Sequence, residues 1–528
     1  MMDGRLYTQV LIIGAGLAGC TAALTLADAG YDVALVSPVP ELGGGNSELA
    51  QGGIIYKAAQ GDDAKALAKD ILVAGHHYNY TRAVRYLCQK GPEAVEHVLL
   101  DRVHAAFDHA PDGSWDLTRE GGHGVQRILH RADYTGKAIM DSLRACVREH
   151  PRVRILAGRW GIDLLTSRHH GRDSEYRYHV ENRCAGAYVF NTTTQQPETV
   201  LADWTVLATG GVGQVFLHST NAPACVGSGV SMAHRAGVAL GNLEFMQFHP
   251  TALYHKFSHR RPLITEAMRG EGARLLDASG EPFMLRHDKR GDLAPRDVVS
   301  QAMMEEMLRT GEPCLYLDVS RVQQDLPTRF PTVFQHCADI GLDIRKEPIP
   351  VVPAAHYFCG GVLTDLRGRT DMDGLYAIGE CACTGLHGAN RLASTSLLEA
   401  LTWGLSAGQD IARRCASGPS LPARLCAAIP DWEPLGDEKN DDPALVAQDW
   451  AAIRNTMWNY VGISRSTARF RRAFEDLRDL SRHIHDFYKR TRLSPRLVDL
   501  FHGSHTAYVI TQAALRNRQS LGCHFRVD

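Results

Sequence analysis

The sequence predicts an α/β protein: a doubly wound α/β domain with an inserted α+β capping segment, followed by a C-terminal helical bundle. Three observations predict it. A buried-strand pattern, a glycine turn and an Ala/Leu-rich helix follow one another within residues 9–29. Glycine-rich α/β sequence returns at Val351, after a more charged, proline-bearing stretch over 246–350. Beyond a proline-rich break, apolar residues recur at helical spacing.

Gln9–Ile13 is an uninterrupted β-rich run, Leu17–Ala29 reads as a helix and Asp32–Val36 as a second strand. The 18 residues from Val10 to Ala27 carry no charge and follow Arg5, which invites a signal-peptide or membrane-span reading. Gly14, Gly16 and Gly19 oppose that, because the pattern changes from strand to helix at those glycines. Residues from about 60 to 150 look helical, with polar interruptions such as Glu120-Gly121-Gly122-His123. Short β-like runs fill Val153–Trp204 and lead to Val206-Leu207-Ala208-Thr209-Gly210-Gly211. The break lies at Pro419, Pro422, Pro430 and Pro434, with an acidic stretch over Asp437–Asp442. After it, Phe470, Phe474, Leu477, Leu480, Ile484 and Phe487 define one helix face. The boundaries that follow are 1–245 and 351–418 for the first domain, 246–350 for the cap and 419–528 for the helical domain.

Composition narrows the function. A chain of 528 residues is too long for one simple core and implies two or three domains. A net charge of −2 gives no global electrostatic case for nucleic acid or an anionic membrane. Arg471, Arg472, Arg478 and Arg482 are interleaved with Glu475, Asp476 and Asp479, the pattern of a solvated helix surface. The 13 cysteines are scattered without a C-x-x-C pair, which points to reduced thiols in a cytoplasmic protein and away from a zinc site. No metal is expected.

Gly14-Ala15-Gly16-Leu17-Ala18-Gly19 matches G-x-G-x-x-G directly after a strand and at the start of a helix. The first glycine permits the tight turn, the second lets a pyrophosphate approach the backbone, and the third packs helix on strand. The second strand ends in Val36-Ser37-Pro38, where an acidic residue usually holds a ribose; Ser37 can still hydrogen-bond a hydroxyl. Later segments decide for FAD. Thr209-Gly210 follows another buried strand, and Gly374–Glu380 is a strand ending in Gly-Glu, whose carboxylate suits a ribityl hydroxyl. Ser396 and Leu397 open a helix whose N-terminus can stabilise charge on a reduced flavin ring.

Further motifs are dense between Leu6 and Ala412: Ala50-Gln51-Gly52-Gly53, Gln247-Phe248-His249-Pro250, Thr265–Gly272, Ala294-Pro295-Arg296-Asp297, His356-Tyr357 and Gly388-Ala389-Asn390-Arg391. On these the sequence resembles the succinate dehydrogenase and fumarate reductase flavoproteins, a family that includes the L-aspartate oxidases. The resemblance implies an FAD domain with a capping domain, the substrate lying between them. It adds Ser47, Ala50, Gln51, Gly52 and Gly53 to the cofactor site. Respiratory members carry FAD covalently on a histidine just before Ala-Gln-Gly-Gly; Asn46-Ser47-Glu48-Leu49 contains none, so FAD is expected to be non-covalent. Glu120 before Gly121-Gly122-His123 matches the aspartate-oxidising branch. A carboxylate is the simplest partner for the ammonium that distinguishes aspartate from succinate.

By resemblance, Gln247, His249, Thr265, His356 and Arg391 contact a C4 dicarboxylate, and Arg391 suits a bidentate carboxylate clamp. Arg296, with Glu266 and Arg269 behind it, matches the family's proton relay, although arginine stays protonated in nearly every protein environment. His249 and His356 are included among the catalytic groups. The expected reaction is oxidation of L-aspartate to iminoaspartate, with oxygen (giving hydrogen peroxide) or fumarate (giving succinate) as acceptor. In the family this is the first step of NAD biosynthesis, and quinolinate synthase consumes the product. A fumarate reductase or a succinate dehydrogenase subunit is the alternative.

Overall fold

The computed structural model describes residues 5–39, 42–58, 64–178, 181–255, 260–418, 421–434, 436–440 and 442–528; Pro419 and Asp441 of the expected break lie outside them. The first lobe is built on a seven-stranded sheet. Its strands lie in the order Val153–Ala157, Val33–Ser37, Arg5–Ile13, Gln196–Leu207, Cys184–Asn191 and Arg159–Thr166, and Leu375–Ala377 also pairs with Gln196–Leu207. Arg5–Ile13 is central and parallel to both neighbours, with Val10 opposite Val33 on one side and Trp204 on the other. Both its faces are covered, so Val10, Leu11 and Ile12 are wholly buried and the run is apolar without alternation. Helix Leu17–Asp28 packs on this sheet and against the long helix Thr395–Cys415.

Strand order reverses at the centre. From Arg5–Ile13 the chain turns to Val33–Ser37 on one side, while Gln196–Leu207 lies on the other. Such a switch point leaves a crevice at the carboxyl ends of the strands, where ligands of open α/β sheets bind. The expected helical region over 60–150 contains helices Ala64–Ala74, Thr81–Ala94 (continuing in wider π-type turns to Arg102) and Thr135–Glu149. It also contributes Leu117–Thr118 and Ile128–Leu129 to a small three-stranded sheet with Ile54–Ile55.

The second lobe is an antiparallel sheet in the order Met246–Leu253, Ile349–Phe358, Leu315–Asp318 and Arg274–Leu276, with helix Arg296–Thr310 packed on it. Ile349–Phe358 is one strand, and it runs straight across the boundary expected at 350/351. The boundary follows from the change in composition at Val351, which the strand does not respect. Pro353 lies where the pairing slips between His249–Ala354 and Ala252–Val352, so its missing N–H costs no ladder bond.

Helices Pro443–Val461, Thr467–Arg490 and Pro495–Arg516 form the C-terminal bundle. Phe470, Leu477 and Ile484 are buried, whereas Asp479 pairs with Arg478 and Arg482 on the exposed side. Among the described residues no helix is long and apolar enough to cross a membrane, and no group of His, Cys, Asp or Glu is arranged to hold a metal ion.

Candidate active site

A cavity of about 490 Å³ extends from the ends of the parallel strands to the antiparallel lobe. Of the residues expected at the cofactor, all but Gly19 line it: Gly14, Ala15, Gly16, Ser37, Ser47, Ala50, Gln51, Gly52, Gly53, Thr209, Gly210, Glu380, Ser396 and Leu397. Gly14 has φ +117°, and a Cβ there would lie 2.1 Å from the Ala208 carbonyl oxygen. Gly19 sits behind the wall, where a Cβ would lie 2.0 Å from the Gly14 carbonyl oxygen. The turn and the helix therefore approach as closely as the glycine pattern requires.

Side chains on this wall are held from behind. The Ser47 hydroxyl accepts from Leu17 N–H at 3.1 Å, and Thr209 Oγ1 accepts from Gly229 N–H at 3.2 Å. Glu380 accepts from Asn46 Nδ2 (2.9 Å) and from Phe358 N–H (3.0 Å). Burial pushes its carboxyl up to about 7 against those two bonds. Gln51 Oε1 is buried without a hydrogen-bond partner among the described residues, an acceptor left for a ligand. Glycine cradle, helix N-terminus, buried Glu380 and open Gln51 amide together fit the pyrophosphate, ribityl and ring of a flavin dinucleotide.

The opposite end is cationic. Arg391 is buried, with its guanidinium 4.8 Å above the ring of Tyr357. Its Nε donates to Gln247 Oε1 (3.2 Å) and its Nη1 to the Ser396 hydroxyl (3.3 Å). Arg296 donates from Nε to Glu266 Oε2 at 2.6 Å, while its Nη1 is buried with no hydrogen-bond partner among the described residues. His249 meets His356 edge to face, with ring centroids 5.2 Å apart. His249 Nδ1 accepts from Thr251 N–H at 3.2 Å and its Nε2, fully buried, is likewise unpartnered. His356 is the extra residue of a bulge: Gln247 pairs with Tyr357 and Phe248 with Ala355, so His356 is skipped in the pairing. Its Nδ1 lies 2.9 Å from Thr220 Oγ1. Thr265 caps the turn Glu266–Gly270 through Ala267 N–H.

Glu120 brings a carboxylate to this wall, beside Gly52, and accepts from the Ser394 hydroxyl. Ser394 itself has φ +57°, a conformation that non-glycine residues adopt only under constraint. Two of the residues expected on the substrate side do not reach the cavity. Gln247 is fully buried, and its amide is consumed by Asn390 Oδ1 (2.6 Å), the Arg391 carbonyl (2.8 Å) and Arg391 Nε. These bonds place Arg391. Arg269 also lies behind the wall, giving a bond to the Asp292 carbonyl and standing 3.7 Å from Glu266.

Residues 9–397 match the FAD-binding-domain family model. Over its whole length the chain is 42% identical to the L-aspartate oxidase of Pseudomonas aeruginosa, covering 96% of that protein. It is 40% identical to the L-aspartate oxidase of Yersinia pestis, covering 99% of this chain and 96% of that one. The chain belongs to the L-aspartate oxidase family. Among solved structures it is similar to E. coli quinol fumarate reductase (TM-score 0.87, 28% identity, 99% of this chain and 92% of that chain). It is also similar to Mycobacterium smegmatis Sdh1 (TM-score 0.81, 29% identity, 99% and 89%). The cofactor of the family is FAD.

The electrostatics suit an L-aspartate oxidase. Burial alone would raise Glu266, but Arg296 and Arg269 hold it down at about 2. Burial, with Arg296 and Arg269 nearby, keeps His249 neutral, well below the ordinary imidazole value. Burial, His249 and Arg391 do the same to His356. The imidazoles are thus neutral dipoles among fixed cations. Sequence reasoning missed Asn46, which bonds Glu380 and also accepts from Ala222 N–H at 2.8 Å. It missed Thr220 as well, and it placed Ser394 at the opening of the helix without its bond to Glu120. Asn46 stood in the stretch searched for a histidine, and only the folded contact reveals its use.

Proposed function

We propose that the protein oxidises L-aspartate to iminoaspartate, with Glu120, His249, Thr265, His356 and Arg391 binding the substrate and Arg296 acting on it with Glu266 and Arg269 in support. The observation that carries this reading is the pair of buried, unpartnered donors, Arg296 Nη1 and His249 Nε2, on residues that line the same cavity as Arg391 and Glu120. Buried donors without partners are rare unless a ligand completes them. Two carboxylates supply acceptors for the cations and imidazoles, and the α-ammonium supplies donors to Glu120.

FAD, when bound, supplies the two-electron acceptor for the hydride that leaves the substrate α-carbon. The protein's part is to place and to balance charge. Arg391 and the two neutral imidazoles hold the carboxylates in a site from which water is excluded, where each contact is worth more than in water. Formation of the C=N bond also requires one proton to leave nitrogen, and Glu120, holding the ammonium, is placed to take it. Arg296, fixed against Glu266 at 2.6 Å, acts by its charge. Fumarate has the same two carboxylates, so the same clamp serves it as an electron acceptor; oxygen needs no clamp. Iminoaspartate then goes to the quinolinate-forming step of NAD biosynthesis.

The residues in place of the covalent attachment support a non-covalent flavin: among the described residues the histidines that line the cavity are His249, His336 and His356, all on the antiparallel lobe. The full-length likeness to E. coli quinol fumarate reductase favours fumarate reduction as a second reading. Acid precipitation should leave a colourless pellet and a yellow supernatant; a yellow pellet would mean a covalent flavin.

Glu120→Gln separates the amino acid from the plain dicarboxylate. Loss of a charged hydrogen bond of about 1.5–3 kcal/mol should lower kcat/KM for L-aspartate by ~10- to 100-fold. Succinate affinity should change by less than ~3-fold, since succinate offers Glu120 no ammonium. Equal losses for the two ligands would refute the role given to Glu120.

A further inference from the structure

We propose that His76 and Asp297 form a clasp between the two lobes that positions Arg296 against Arg391, and that the clasp tightens when His76 is protonated. The inference deepens the proposed oxidation and rests on it, because those two arginines are the groups assigned there to the C4 dicarboxylate. Neither His76 nor Asp297 lines the cavity. They are positioning residues.

His76 lies just past helix Ala64–Ala74, and both it and His77 have left-handed backbones, with φ of 55° and 58°. Two successive non-glycine residues in that region persist only where their surroundings hold them. Here they are held twice. Within the loop, His77 N–H donates to the Leu72 carbonyl at 2.8 Å. Across to the segment that carries Arg391, Ala389 N–H donates to the Gly75 carbonyl (3.1 Å) and Asn79 Nδ2 to the Leu386 carbonyl (2.7 Å).

The bend brings His76 Nε2 to 3.1 Å from Asp297 Oδ2, in the first turn of helix Arg296–Thr310 on the antiparallel lobe. The Asp297 side chain is 5% exposed and that of His76 is 38% exposed, so the carboxylate is buried under a ring that reaches solvent. Asp297 Oδ1 stands 3.5 Å from Asn390 Nδ2. Asn390 Oδ1 takes Gln247 Nε2 at 2.6 Å, and Gln247 Oε1 takes Arg391 Nε at 3.2 Å. One continuous run of polar contacts therefore joins His76 to the Arg391 guanidinium, and Arg296 is the residue next to Asp297. Breaking the first contact leaves only the long Asp297–Asn390 contact, 3.5 Å, in this run to hold the helix turn that carries Arg296 against the loop that carries Arg391.

The charged group facing His76 among the described residues is Asp297, whose hydrogen bond raises the imidazole above its ordinary value against the effect of burial. Asp297 in turn stands in the field of Arg290 and near the buried Cys523 thiol. His77 is exposed. Because the closed state raises the imidazole, its added stability is complete below the ordinary imidazole value and is lost as pH rises through the raised one.

The test uses the holoenzyme, its His76→Gln variant and its Asp297→Asn variant between about pH 5.5 and pH 9. Two quantities are read: amide hydrogen exchange of the first turns of helix Arg296–Thr310, corrected for intrinsic exchange, and the Kd for succinate. In the wild type, protection should fall and Kd should rise by ~3- to 10-fold as His76 loses its proton, a tenfold change being about 1.4 kcal/mol. His76→Gln should sit at the weak value throughout, with no step, and Asp297→Asn should behave alike. Glu380, which titrates near about 7 in the cavity, is intact in all three proteins, so the difference between them isolates the imidazole. Wild-type protection that does not change with pH, or a step retained in His76→Gln, would overturn the proposal. A purely structural loss would lower protection evenly and leave the step. The exchange measurement needs no turnover, so a protein that shows the step yet leaves aspartate unoxidised would keep the clasp and lose the proposed reaction.

Discussion

Arg391→Leu is expected to raise the KM for L-aspartate and the Kd for succinate together, by ~30-fold to several-thousand-fold, or about 2–5 kcal/mol for removing one partner of a desolvated charge pair. The fork is fully buried and has no competing carboxylate within its own bonds, which go to Gln247, Ser396 and the Leu392 carbonyl. Its charge is left for the substrate. Leucine fills part of the space over Tyr357 but leaves a substrate carboxylate in a low-dielectric site with one cation fewer. A lysine at the same position should recover only part of the loss, because it cannot offer a planar fork. A KM within a few-fold of the wild type would remove Arg391 from the clamp.

Arg296→Leu is expected to act on kcat, with a fall of ~10²- to 10⁴-fold. Two effects add. The unpartnered Nη1 disappears from the cavity wall, and Glu266 loses its 2.6 Å partner. Burial raises Glu266 while Arg296 and Arg269 hold it down at about 2, so with Arg269 alone at 3.7 Å its carboxyl should rise. A new limb should then enter the acid side of the kcat profile, where the wild type has none from this group. The sign follows from the pair: a depressed carboxylate contributes its stabilisation above its ordinary value and loses it as pH falls through the depressed one. Arg296→Lys keeps the charge and should retain more activity than Arg296→Leu. Equal losses in the two variants would point to a role other than charge.

Much of the cofactor side is legible in the sequence because it is local. Gly14, Gly16 and Gly19 act within one strand, turn and helix, and their spacing alone fixes which of them faces the crevice and which packs the helix. The substrate side depends on contacts between distant segments. Gln247 and His249 were both expected at the substrate and they share a strand, but the Gln247 amide bonds Arg391 while His249 lines the cavity. Nothing in Gln-Phe-His-Pro announces a slip of register in its partner strand. Ile349–Phe358 misled for a related reason. Composition changes at Val351, but the pairing that carries one strand across that point is made with segments distant in sequence. Asp297 and Asn390 stood beside the expected Arg296 and Arg391 throughout, yet their link to His76 spans 221 residues of chain.

Glu120 separates this account from a dicarboxylate site of the succinate type, and anaerobic titration of the flavin tests it most directly. L-Aspartate added without oxygen should bleach the oxidised flavin, while D-aspartate and succinate leave it largely coloured. If L-aspartate leaves the flavin oxidised, or succinate bleaches it equally well, the account is contradicted.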